Sequence, residues 1–301
     1  MRRKRLSGEI PLRLFDPTRG QLALSVGDLT PERHHPSRSN CFTILWIPAG
    51  RGVFHRGLDS YAFEGPVLLF GSPYQTLFIE SSPLLEGQVI LFHANFFCIE
   101  TYHHEVGCNG VLFNDLNNIP LVQPDEAFSM EIQNLLQQMR QELQVSGLAH
   151  SEILVSYLKV LLIKATRLKL ESQRQATDLI EPASKPVLLM ELTDLIERHF
   201  KERLGPADYA QRLHISLKAL GKLVKTHLGK TLTDLIRERT LQHAKWQLLH
   251  TLRPVKEVAA EAGFSDELYF SRVFKQETGL SPKAFREFET AIRGGRNLSM
   301  D

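Results

Sequence analysis

The chain has 301 residues, 43% of them hydrophobic and 23% charged, an ordinary composition for a soluble protein with material for two domains. Cys41, Cys98 and Cys108 make an odd set without zinc or disulfide spacing, which excludes a disulfide framework and suits free thiols in a reducing cytoplasm. The net charge of +2 discriminates little, and no apolar run approaches the ~20 residues that span a bilayer.

The N-terminal Met1-Arg2-Arg3-Lys4-Arg5 is basic, but Ser7, Gly8, Glu9 and Pro11 interrupt any apolar region behind it, so it does not read as a signal peptide. It reads as a disordered basic terminus or, more sharply, as an arm that contacts DNA or another domain. Residues 10 to 100 read as β-structure. Phe42–Ile47 is a β-branched and aromatic run ended by Pro48. Val53–His55, Tyr61–Phe63, Val67–Phe70, Leu77–Ile79 and Gln88–Phe92 follow, each punctuated by Gly or Pro. Short strands at this spacing predict a barrel or a sandwich.

Histidines invite a metal reading, and the spacing argues against it. His34 and His35 are adjacent and would point to opposite faces of a strand. His55 and His93 have no partners at fixed spacing, and His103-His104 lie beyond the strands. No metal ligand and no cofactor is assigned. Trp46 has two readings, core packing or the lining of a small-molecule pocket, because an indole offers both area and a donor.

From Asp125 the period changes to that of helices. Phe128, Ile132, Leu135-Leu136 and Met139 form a stripe on one helix. Ile153, Leu154, Tyr157, Leu158, Leu161, Leu162, Ala165 and Leu168 form a wider one on the next, with Val155, Val160 and Ile163 on further faces. The surplus predicts a homodimer through this helix, or else complete burial within one chain. Residues 173–186 are polar and end in Glu181-Pro182-Ala183-Ser184-Lys185-Pro186, a linker composition. The boundaries predicted are 1–172 for a sensor and dimerisation domain, 173–186 for the linker, 187–290 for a helical domain, and 291–301 for a tail.

The helical domain contains one pattern twice. Tyr209-Ala210 leads to Leu213-His214-Ile215-Ser216, then Leu220, Leu223-Val224-Lys225 and Gly229. Val258-Ala259 leads to Ala262-Gly263-Phe264-Ser265, then Phe270, Val273-Phe274-Lys275 and Gly279. The offset is 49 residues through the turn and 50 beyond it. A fixed-period duplication is evidence of architecture. Each copy has a small residue for close helix approach, a sharp turn that favours Gly, Ser216 or Ser265 placed to cap the next helix, and a second helix apolar on one face only. A helix-turn-helix whose second helix keeps a free face is the geometry that enters a major groove. The segment Thr233–Leu249 between the copies predicts a rod of roughly 26 Å, comparable to one turn of duplex. From Arg212 to Arg253 nine Lys/Arg face only Asp234 and Glu238, a local excess of seven positive charges that suits phosphates.

The run from Ala262-Gly263-Phe264-Ser265 through Tyr269-Phe270-Ser271-Arg272-Val273-Phe274-Lys275 to Gly279-Leu280-Ser281-Pro282 resembles the signature of the AraC/XylS family of transcription regulators. The layout matches over about 100 residues, from near Val187 to near Glu289. The first copy departs: His214 stands in place of the usual turn glycine, and Gly221 sits mid-helix at a position that often reads bases, so this copy is expected to be less sequence-specific. The resemblance implies an α+β multidomain fold, with an N-terminal cupin-like β-barrel carrying dimerisation helices and a C-terminal all-α domain carrying two helix-turn-helix motifs. Leu91–His93, Asn95–Ile99 and Glu105–Gly110 also resemble a pattern in a subset of that family.

The exposed positions expected to meet DNA are Glu267, Leu268, Ser271, Arg272 and Lys275 on the second recognition helix, and Leu217, Lys218, Lys222 and Lys225 on the first. Arg272 pairs well with guanine, Glu267 with a cytosine amine and Leu268 with a thymine methyl; Lys222 is the first helix's base reader, and Lys225 and Lys275 hold phosphates. The function expected is a cytoplasmic transcription regulator, not an enzyme. It would bind double-stranded promoter DNA, respond to a small-molecule effector in the barrel, act as a homodimer and meet RNA polymerase. The rivals are a ligand-independent regulator with a structural barrel, and a metal-cupin enzyme with a DNA-binding appendage.

Overall fold

The computed structural model describes residues 10–17, 21, 23–57, 59–94, 96–97, 111–113, 119–145, 148–178, 185–202, 204–228 and 230–292. The basic N-terminus, the pattern at 98–110 with its two cysteines and two histidines, residues 179–184 of the expected linker and the C-terminal tail lie outside them. The chain divides into two compact units: residues 1–109 with 120–165, and residues 110–119 with 166–301.

Six strands of the first unit fall where the sequence placed them, and four more, at residues 12–13, 24–28, 38–39 and 121–122, are additional. β4 (Phe42–Ile47), β7 (Val67–Gly71), β9 (Gln88–Phe92), β2 (Leu24–Asp28) and β10 (Leu121–Val122) form a five-stranded sheet in the order β10-β7-β4-β9-β2. β5 (Arg51–Arg56), β6 (Asp59–Glu64) and β8 (Leu77–Glu80) form a second sheet in the order β6-β5-β8. The short β1 (Leu12–Arg13) pairs with β3 (Arg38–Ser39) in parallel. Alternation decides what faces inward. Leu45, Ile47, Val67, Leu69 and Val89 of the large sheet meet Phe54, Phe63, Leu77 and Ile79 of the small one in a single core. The other face of the large sheet is buried too, at Ile44, Trp46, Phe70, Ile90 and Phe92, so β4 and β7 read as continuous apolar runs rather than as alternating ones.

The closed barrel implied by the family resemblance is not what these strands make. Among the described residues the two sheets face each other without joining, which is the sandwich alternative. The reason is visible in the sequence. The chain crosses from one sheet to the other four times, after β4, β6, β7 and β8, and Pro48, Pro66, Pro73 and Pro83 stand at those crossings. A proline has no N–H with which to carry a ladder round a corner.

Two helices follow. α1 (Glu126–Glu142) is capped by Asp125, whose side chain accepts from the Phe128 amide at 2.8 Å, and it packs along β2. α2 (His150–Asp178) is 29 residues long. It runs six residues into the stretch expected as linker. Most of its apolar stripe, Leu154, Leu158, Leu161, Leu162 and Ala165, is buried within this chain. Ile153, Val160 and Leu170 remain exposed.

The second unit is helical: α3 (Lys185–His199), α4 (Pro206–Arg212), α5 (Leu217–Leu228), α6 (Leu232–His250), α7 (Val255–Glu261), α8 (Glu267–Thr278) and α9 (Pro282–Ile292). α3, α4, α5 and the start of α6 close one core around Leu192, Ile196, Tyr209, Leu220, Val224 and Leu235. α7 and α9 pack on the far half of α6, and α8 packs on both α7 and α9, with Phe264, Phe270, Phe274 and Phe285 in successive ring contacts 5.2 to 5.6 Å apart. α6 is thus a shared spine. Its 19 residues make a rod of roughly 28 Å, two residues longer than the sequence predicts. The one extra residue at its start comes with a capping box, in which Thr231 accepts from the Asp234 amide at 3.1 Å and Asp234 accepts from the Thr231 amide at 3.4 Å.

Candidate nucleic-acid interface

The two turns fold alike because their residues make the same bonds. In the first, the Ile215 amide donates to the Ala210 carbonyl at 3.1 Å; in the second, the Phe264 amide donates to the Ala259 carbonyl at 2.9 Å. Ala210 and Ala259 are buried, as close approach of the helices requires. Gly263 turns the chain at φ 83°, and His214 does the same at φ 55°. A side chain with a β-carbon pays about 1–2 kcal/mol in that left-handed region. The substitution noticed in the sequence is therefore a local strain in the first turn.

The helix caps differ, and here one expectation is corrected. Ser216 caps α5, accepting from the Ala219 amide at 3.2 Å. Ser265 does not cap α8. Asp266 does, accepting from the Leu268 amide at 2.8 Å. The extra residue in the second turn moves the helix start by one, so the position equivalent to Ser216 is Asp266. At the far end Gly279 closes α8 at φ 86°. Ser281 then caps α9, accepting from the Ala284 amide at 3.2 Å, with Pro282 in its first turn.

Both second helices bury one face and leave the other outward. On α5, Leu220, Leu223 and Val224 are buried, while Lys218, Lys222 and Lys225 stand exposed at spacings of four and three, with Leu217 beside them. On α8, Phe270 and Phe274 are buried, while Glu267, Leu268, Arg272 and Lys275 are exposed. Ser271 is only half-exposed. Leu268 is 74% exposed, a large apolar side chain on the outward face.

Residues 209–287 match the family model described as a helix-turn-helix domain. The HTH-type transcriptional activator RhaR of Salmonella dublin is 28% identical over 117 residues, which are 39% of this chain and 42% of that one. The chain thus spans less than half the length of the curated relatives it matches. A transcriptional regulator with an AraC-type DNA-binding domain from Chromobacterium violaceum is 25% identical over 36% of this chain and 96% of its own, with a TM-score of 0.34. The helical region at residues 209–287 is thus a helix-turn-helix domain similar to those of AraC-type regulators. Unsaturated fatty acid-bound ToxT from Vibrio cholerae is 16% identical over 90% of this chain and 95% of its own, with a TM-score of 0.40.

The tertiary structure sorts the basic residues that the sequence groups together. Arg212 pairs with Glu202 at 3.2 Å, Lys230 with Glu238 at 2.6 Å, Arg237 with Asp234 at 2.5 Å and Arg239 with Glu197 at 2.6 Å; Arg253 pairs with Glu261. Lys230 is only 6% exposed in this pairing. Arg239–Glu197 braces α6 against α3 and Arg212–Glu202 ties the end of α4, whereas Arg237–Asp234 lies within α6 and Lys230 and Arg253 pin the loops that enter α6 and α7. Glu197, Glu202 and Glu261 lie outside the stretch from 212 to 253, so counting charges within it overstates the free positive surface. Among the described residues no carboxylate lies within ion-pair distance of Lys218, Lys222 or Lys225. Within the stretch from 212 to 253, α5 thus presents three exposed lysines together.

Tyr269 is a candidate that sequence reasoning missed. It is 52% exposed, its ring packs against Phe264 at 5.9 Å, and the Arg272 guanidinium lies over it at 5.9 Å from the centroid. The signal was present: Tyr269 precedes Arg272 by three residues, which places both on one helical face.

Behind the two modules, His243 of α6 joins them. Its ring meets Phe200 edge-on at 5.0 Å on the first side. On the second, its Nε2 is 3.4 Å from Glu261 and 2.9 Å from the Gln247 amide nitrogen. Burial lowers the His243 pKa, and hydrogen bonding from Gln247, then from His243, lowers that of Glu261. Arg286 of α9 donates to the carbonyls of Leu248 at 3.1 Å and Arg253 at 2.6 Å, tying down the end of α6.

Among the described residues no group of three or more His, Cys, Asp or Glu is arranged to hold a metal ion. His55 stacks on Phe78 at 4.1 Å and bonds Ser60 and Glu80, and His93 is buried against Phe15. Among the described residues no helix is long and apolar enough to cross a membrane.

Proposed function

We infer that this chain is a sequence-specific, DNA-binding transcription regulator, with DNA read by residues 187–290 and regulation exerted through residues 1–172. The observation that carries the reading is the pairing of two helix-turn-helix modules on one spine of roughly 28 Å, each with an outward second helix. In this proposal α8 reads bases through Arg272, Glu267 and Leu268, with Ser271 beside them and Lys275 on a phosphate. α5 contributes Leu217, Lys218, Lys222 and Lys225. A small-molecule effector held by the N-terminal unit biases the arrangement of the DNA-binding modules. The exposed Ile153, Val160 and Leu170 of α2 support a homodimer through that helix. RNA polymerase is the further partner, and the cytoplasm the compartment.

The test is selection of bound duplexes from a random pool by the full-length chain, followed by measurement of affinity against salt. The expected result is a defined motif bound at least about a thousandfold more tightly than random duplex. Recovery of no motif, with binding equal on every sequence, would overturn the reading.

A further inference from the structure

At one end of its outer face the large sheet of the first unit turns from apolar to polar. Register places Trp46 opposite Gln88, and Gln88 opposite Asp28, across β4, β9 and β2. Gln133, Gln137 and Arg140 of α1, spaced four and three residues apart, share a helical face and line the same cleft as that row. The cleft has a volume of about 660 Å³, the size of a small-molecule site. Leu29, Pro48 and Leu85 give it an apolar side. It is outside the core between the two sheets, since Trp46 and Gln88 point away from the residues that fill that core.

The rim of the cleft is preformed. The Leu29 amide donates to the Gly87 carbonyl at 2.8 Å. A β-carbon on Gly87 would lie 2.5 Å from the Trp46 carbonyl oxygen, so only glycine lets this strand entry pass so close. That fixes Glu86 at the mouth. Glu86 is exposed, and among the described residues it has no ion-pair partner. The Arg140 Nη2 donates to Asp28 at 2.5 Å, while its Nε is buried without an acceptor. A buried donor left unmade costs stability. Asp28, Glu86 and Arg140 together leave one negative charge in excess.

We propose that this cleft binds a small zwitterion, a free α-amino acid with an apolar side chain. The ligand's ammonium meets Glu86 and the amide oxygens of the glutamines. Its carboxylate draws the Arg140 guanidinium from Asp28 and gives it the acceptor it lacks. Its side chain lies against Leu29, Pro48 and Leu85. A simple anion is disfavoured by the two carboxylates, and a simple amine leaves the guanidinium unanswered. The proposal rests on the first unit being the regulatory one, and it supplies that unit's ligand class and address.

The test is thermal unfolding of the full-length chain, without DNA, with each of the common amino acids singly at millimolar concentration. The amide and N-acetyl derivatives of any that respond follow. The expected result is that at least one apolar amino acid raises the midpoint by several degrees through preferential binding to the folded state. Both blocked derivatives should fail, and Glu86→Gln and Gln133→Leu should each weaken the response at least tenfold. Arg140→Gln should abolish it; if that variant does not fold, the other two still decide. No response to any amino acid, or a response that survives Glu86→Gln and Gln133→Leu, overturns the proposal. DNA is absent, so failure here leaves the DNA-binding reading standing, and failure to select a motif leaves this one standing.

Discussion

Replacing Lys218, Lys222 and Lys225 together by Gln isolates what α5 contributes. The three are exposed on one face and have no carboxylate partners among the described residues, so their removal breaks no ion pair within the fold. Each lysine that neutralises a phosphate adds about 0.9 to the slope of log K against log salt. Removing three should flatten that slope by about 2.7, and at 0.1 M salt should weaken binding by about 500-fold. Most of the loss should appear equally on the selected motif and on a scrambled duplex, because phosphates carry no sequence information, with a further loss on the motif alone from Lys222, the base reader. Fluorescence anisotropy of both duplexes between 50 and 200 mM KCl measures it, with thermal unfolding as a check on the fold. An unchanged slope, or a loss confined to the motif, would refute the assignment of α5 as the electrostatic anchor. The same triple change at Arg212, Arg237 and Arg239 should instead lower stability, since those side chains are ion-paired within the unit.

On α8, Arg272→Ala should cost about 1–3 kcal/mol on the motif and blur preference at one base pair, read by competition with single-base variants; a uniform loss would make it a phosphate contact. Tyr269→Ala should mimic part of that effect by freeing the guanidinium, whereas Tyr269→Phe, which keeps the ring, should not. In the first turn, His214→Gly should stabilise by about 1 kcal/mol by relieving the left-handed strain. Gly221→Ala should add a similar amount through helix propensity, because a β-carbon there meets nothing within 4 Å; denaturant midpoints check both. Asp266→Ala should destabilise by about 1 kcal/mol and Ser265→Ala by less than about half of that, since only the first removes a cap. The depressed pKa of His243 makes the folded chain hold fewer protons than the unfolded one below the ordinary histidine range. Stability present at neutral pH should therefore fall as pH drops through about 6.5, and the lowered Glu261 acts in the same direction at lower pH. His243→Gln should flatten the upper part of this fall, measured as midpoint against pH.

Local signals fixed much of this molecule in advance. The duplicated turn, its small residues, the left-handed position and the free faces of both second helices all depend on residues within a few positions of each other, which is why they were legible. The strands, and the prolines that keep their two sheets apart, were legible for the same reason. What the sequence could not rank was charge. Lys222 and Arg239 look alike in the chain, yet one faces solvent and the other is held by Glu197, 42 residues away. Only the packing of α3 on α6 brings Glu197 to Arg239, and only the fold of the first module brings Glu202 to Arg212. The choice between Ser265 and Asp266 turned on where α8 begins, a shift of one residue. The cleft beside α1 needed strand register, which joins Asp28, Trp46 and Gln88 across a sheet. Propensity and capping act over a turn or two of chain and can be read in order; ion pairing and strand register act between segments that meet only when the chain has folded.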